Sequence, residues 1–89
     1  MIKLNPIALT AGLLAPALAV AQIGVGDPAG TTEAQVRATL LDLGYTIIEM
    51  EIEGDEIEAE ARLDGVLYEI EVSTARGIVT GIALEEDDA

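Results

Sequence analysis

Six glutamates, Glu49, Glu51, Glu58, Glu60, Glu69 and Glu71, take turns with apolar residues through the second half of the chain and are its strongest candidates for shared chemistry. Carboxylates set side by side can ligate a cation such as calcium or present a negative plate to a basic protein surface. A calcium site usually gathers roughly 6 to 8 oxygens on a turning loop. A flat row does not turn, so weak calcium binding ranks below a basic extracytoplasmic protein as the expected partner. Two carboxylates could also serve glycoside hydrolysis, but that chemistry needs a cleft and rings for sugars to stack on. The only aromatics are Tyr45 and Tyr68.

Other chemistries are closed by composition. The chain has no histidine and no cysteine, which removes zinc sites, Cys-His nucleophiles and imidazole acid-base catalysis. Ser73, the lone serine, has no histidine to activate it and suits a turn instead. Gly24-Val25-Gly26 is too short to cradle a phosphate and leads into no helix directly. No catalytic residue and no cofactor is expected, and the chain reads as a non-enzyme.

The elements that must position the glutamates follow from period-two alternation. Ile48, Met50 and Ile52, then Ile57, Ala59, Ala61 and Leu63, then Tyr68, Ile70 and Val72 are predicted on one face of a sheet, with the glutamates on the other. Turns are marked at Gly54-Asp55 and at Asp64-Gly65, the latter a type I′ hairpin signal. Hairpins centred there pair Ile52 with Ile57, Met50 with Ala59, Ala61 with Tyr68, Ala59 with Ile70 and Ile57 with Val72. The same register aligns Glu49, Glu60 and Glu69 in one cross-strand row and Glu51, Glu58 and Glu71 in the next, with Glu53 opposite Glu56. A slip of one residue would bury the glutamates, so pattern and turns agree on the register. Each directly opposed like-charge pair costs about 0.2 to 1 kcal/mol. A bound cation or basic surface would relieve that repulsion; a solvated face screened by salt is the plainer alternative.

Before the sheet, Thr32 with Gln35 three residues later forms a capping-box signature, predicting a helix from Glu33. Val36, Leu40 and Leu43 make its apolar stripe, flanked by Ala34 and Leu41, and Gly44 suits a left-handed stop. A helix this short is unstable alone and must pack on the apolar face of the sheet. After the third strand, a turn over Ser73 to Gly77 leads to a last strand, Ile78 to Leu84. The fold class expected is α+β, one helix packed on a four-stranded, largely antiparallel meander.

The first 21 residues differ in kind. Lys3 precedes an apolar run from Ile7 to Val20, ending in Ala19-Val20-Ala21, which reads as a secretory signal peptide with an A-x-A site and cleavage before Gln22. The run is shorter than the roughly 20 apolar residues of a membrane span, so no span is expected after cleavage. Residues 22–31, rich in glycine, are read as a flexible lead, residues 32–84 as the domain and residues 85–89 as an acidic tail fraying into solvent. The product is expected to be periplasmic or secreted. Cleavage removes the only lysine and leaves three arginines against 17 acidic residues, a net charge of −14. Nucleic acid and anionic membrane are poor partners for such a surface, whereas basic proteins and cations are suitable ones. Without disulfides, a core this small seldom supplies more than about 3 to 5 kcal/mol.

Helix, meander, Tyr68-Glu69-Ile70-Glu71-Val72, a short turn and Gly77-Ile78-Val79 together resemble the PepSY domain family, over roughly Thr32 to Leu84. Members are similar in packing a helix on an antiparallel sheet and in a late strand of the type Tyr-x-Val-x-Val leading to Gly-x-Val. Ser73 and Arg76 stand where that turn often carries Asp and Thr, so the resemblance lends this turn no ligand role. It implies a regulatory or inhibitory module without catalytic residues, of the kind found in metallopeptidase propeptides and in small exported proteins. Three readings stay open: an interaction module binding a basic surface through the glutamates, an inhibitor of an extracytoplasmic peptidase, and a cation-responsive acidic protein with no dedicated partner.

Overall fold

The computed structural model describes residues 22–86. The expected signal peptide and the last three residues of the acidic tail lie outside the described residues.

Helix α1 spans Glu33–Asp42. Thr32 caps it, its hydroxyl oxygen accepting the Gln35 amide hydrogen at 3.2 Å. The reciprocal half of the box is displaced by one residue. Gln35 Oε1 accepts from the Thr31 amide at 2.8 Å rather than from the Thr32 amide, and thereby ties the entering chain to the first turn. At the other end Tyr45 N donates to Leu40 O and Gly44 N to Leu41 O, both at 3.0 Å, around Gly44 at φ 99. That is a Schellman stop, and its two flanking residues, Leu40 and Tyr45, are both buried. Val36 and Leu40 lose all solvent contact and Leu43 packs at the margin. Ala34 and Leu41, expected beside the stripe, face solvent instead.

Four strands follow, β1 Thr46–Glu53, β2 Glu56–Leu63, β3 Val66–Ser73 and β4 Ile78–Leu84, in spatial order β1-β2-β3-β4 with antiparallel neighbours. Both hairpins have the expected register: Ile52 faces Ile57, Met50 faces Ala59, Ala61 faces Tyr68 and Ile57 faces Val72. Asp64 at φ 57 and Gly65 at φ 84 give the two positive values a type I′ turn requires, while at the first hairpin only Gly54 is positive, the II′ pattern. On central β2 burial alternates without a break, Ile57, Ala59, Ala61 and Leu63 inward. Small side chains at Ala59 and Ala61 leave depth for the aliphatic residues above them.

Ile48 is a correction. A bulge between Ile47 and Glu49 leaves Ile48 without a partner on β2, so Ile47 pairs with Ala61 and packs on the core while Ile48 is 52% exposed. The inserted residue reverses the side-chain parity of the strand before it.

The segment expected as a flexible lead is also a correction. It lies along the outer edge of β4: Gly26 N donates to Val79 O at 2.8 Å, Val79 N to Asp27 O at 3.0 Å and Ala29 N to Gly77 O at 2.8 Å. Ile23 and Ala29 enter the core. Backbone groups left over on β4 supply what the glycine-rich sequence lacks as intrinsic preference.

Candidate glutamate plate

Each glutamate of the plate owes its direction to an apolar neighbour pulled the other way. With Ile57, Ala59 and Ala61 inward on β2, Glu58 and Glu60 must point outward. The rows form as the register predicts: Glu49–Glu60–Glu69 and Glu51–Glu58–Glu71, with Glu53 opposite Glu56. The bulge at Ile48 precedes Glu49 and so leaves the plate intact. All six candidate residues are brought together on one face. Glycine shapes one border, because Gly81 lies opposite Glu71 and a Cβ there would stand 3.0 Å from Glu71 Oε1.

Glu58, Glu69 and Glu71, all half-buried, can each bring one carboxylate oxygen within 4.8 Å of the others. Three oxygens fall short of the roughly 6 to 8 that calcium takes, so water would have to complete a calcium shell there. A recess of about 60 Å³ opens among Glu49, Glu51, Glu58, Glu60 and Glu69. Small-molecule pockets run to roughly 300 to 1,000 Å³, so this recess suits an ion or the tip of a basic side chain. Two wider, shallow hollows of about 390 and 330 Å³ flank the helix. In the first, Glu33 is already engaged by Arg37 at 2.8 Å.

Crowding raises two carboxyls at the margin of the plate. Glu56 is raised above the usual carboxylate range, foremost by the charge of Glu71 and then by desolvation. Glu85 is raised as well, chiefly by burial, then by hydrogen bonding to Glu60 and by the charges of Glu60, Glu69 and Glu49. Its Oε1 is shut off from solvent and has no hydrogen-bond partner among the described residues. Two ionised carboxylates have no hydrogen to share, so that oxygen can pair with Glu60 once Glu85 holds its proton.

Glu85 was not foreseen in this role. Expected in a fraying tail, it instead continues β4, its amide donating to Leu67 O at 2.9 Å, and adds a carboxylate to the plate. Its place was readable from alternation, since Leu84 faces the core side and the next residue must face the glutamates. Ser73 serves as the turn residue expected of it, its Oγ accepting the Arg76 amide at 3.2 Å.

No helix among the described residues is long and apolar enough to cross a membrane. A family model described as "Peptidase propeptide and YPEB domain", PepSY_2, matches residues 6–82. Comparison with curated proteins and with solved structures gives no match.

Proposed function

Because the chain belongs to the PepSY family of peptidase propeptide and YPEB domains, we propose that it is an exported, non-enzymatic regulatory module that binds a basic protein surface through Glu49, Glu51, Glu58, Glu60, Glu69 and Glu71. The observation that carries this reading is the pair of three-glutamate rows across β1, β2 and β3. A solvated face needs polar residues, but it does not need like charges directly opposed. Opposition costs stability that a core of this size has little of. A basic partner would return that energy on binding, which links a defect of the free fold to a function of the bound one. Export to the periplasm or beyond rests on the leader-like first 21 residues.

The test is capture from the native extracytoplasmic fraction, comparing the native chain with a variant carrying Glu51→Gln, Glu58→Gln and Glu71→Gln. One protein enriched by the native chain and lost with the variant supports the plate as the recognition surface. Equal recovery by both removes it.

Two other readings have support of their own. The family's description as a peptidase propeptide favours inhibition of an extracytoplasmic peptidase; unchanged proteolysis at saturating domain would sink it. The Glu58, Glu69 and Glu71 cluster favours a weak calcium response without a dedicated partner, for which a calcium-specific melting shift at constant ionic strength is the evidence required.

A further inference from the structure

The two edges of the sheet are treated differently. The outer edge of β4 is covered by the chain itself, through residues 26–30. Strand β1 pairs with β2 alone among the described residues. Its segment Glu49–Glu53 runs in regular register, the bulge at Ile48 marking one end and the Gly54-Asp55 turn the other. The two-residue loop closes on the Glu53–Glu56 pair, and hydrogen-bonded and non-hydrogen-bonded pairs alternate from there. The backbone N–H and C=O groups of Ile52 and Met50 therefore point away from β2, toward an edge that no described strand pairs with.

We propose that this edge accepts an extended segment of a partner protein in which basic and apolar residues alternate. The proposal rests on the plate reading above and specifies how the partner docks. A strand laid beside β1 continues every row of the sheet. On one face it meets Glu49, Glu51 and Glu53, so its side chains there must be cationic. On the other face it continues the rows of Met50 and Ile52, so its side chains there must be apolar; Ile52, 56% exposed, gains the cover it lacks. Main-chain pairing supplies affinity, and the two faces supply the code. Edge strands are commonly guarded by charge. An acidic guard repels a second copy of this same edge, which would set glutamate against glutamate, and leaves a basic strand welcome.

The test uses the full chain and three synthetic peptides: alternating lysine and valine, the same peptide N-methylated at alternate amides so that it keeps its charge but cannot pair, and a threonine-valine peptide without charge. The expected result is binding of the first, with the Met50 and Ile52 amides protected from hydrogen exchange. N-methylation should weaken binding by about tenfold or more, as loss of backbone hydrogen bonds requires. An Ile52→Pro chain should show the same loss, since proline is tolerated where a strand N–H faces outward. Equal binding of the methylated peptide overturns strand addition and leaves the plate reading standing. Equal binding of the uncharged peptide overturns the charge code, and failure of both lysine peptides overturns the proposal together with the plate reading. Protection of Met50 and Ile52 that rises with protein concentration, without peptide, assigns the edge to a second copy and overturns it as well.

Discussion

The phenolic oxygen of Tyr45 accepts the backbone N–H of Ile23 at 3.1 Å, inside the core, joining the residue that leaves the helix to the segment that covers β4. The ring stands edge-on to Tyr68, centroids 6.4 Å apart and planes at 71°. Burial pushes the Tyr45 hydroxyl above its ordinary range, with the Ile23 hydrogen bond opposing. Tyr45→Phe keeps the ring contact and orphans the Ile23 N–H. The expected cost is about 1 to 3 kcal/mol, the penalty for an unmade buried hydrogen bond, read by urea denaturation. An unchanged midpoint would mean that the lead is not held there.

The Gly30→Ala chain should lose the β4 cover. Gly30 sits at φ 114, and a Cβ added there would stand 2.6 Å from the Cβ of Gln35 in the helix. Neither conformation nor space allows alanine, so the cost should exceed about 1 kcal/mol. Faster hydrogen exchange at the Ala29 and Gly30 amides, which now donate to Gly77 O at 2.8 and 3.2 Å, is the local signature.

Leu40→Ala should unfold much of the population. Leu40 is fully buried and closes the helix stop onto the core. Such truncations cost about 2 to 5 kcal/mol, against a total of about 3 to 5 kcal/mol for a core of this size. Far-ultraviolet circular dichroism at room temperature measures it; a fully folded spectrum would show a larger reserve than the small core implies.

Stability should rise as the solution is made mildly acidic. The carboxyls of Glu56 and Glu85 are raised above their ordinary range in the folded chain, so the folded state holds protons that the unfolded state has released. The penalty of keeping both ionised is fully present above their folded pKa values. It is relieved as pH falls through those values and is gone below the unfolded value. Melting temperature should therefore climb as pH falls from neutral toward that range. A flat or falling curve over the same interval would contradict the crowding of Glu56 against Glu71 and of Glu85 against Glu60.

How far the sequence could be read depends on what set each feature. Register was legible because Asp64-Gly65 and Gly54-Asp55 fix turn geometry and alternation then assigns both faces, so all six glutamates of the plate could be placed in rows. Ile48 was misplaced because Ile47 and Ile48 are both apolar, and in such a doublet period two cannot say which residue is the inserted one; the doublet itself was the sign of a bulge. The role of residues 22–30 was hidden for another reason. Gly24, Gly26 and Gly30 speak only of local freedom, whereas order there comes from Val79 and Gly77 on an edge more than forty residues away in sequence. Glu85 reads as tail because it begins an acidic run, although its parity after Leu84 already places it on the plate.

On the proposed function, the plate holds repulsion that a basic partner relieves. Thermal unfolding of the native chain and of the Glu51→Gln, Glu58→Gln, Glu71→Gln variant, each with and without a lysine-rich peptide at constant ionic strength, decides it. The free variant should melt higher than the free native chain, by the about 0.2 to 1 kcal/mol that each of its two relieved pairs would return. The peptide should raise the native melting temperature and leave the variant nearly unmoved. A native chain that melts no lower than the variant and is unaffected by the peptide would contradict it, and would reduce the glutamate face to a solvated surface.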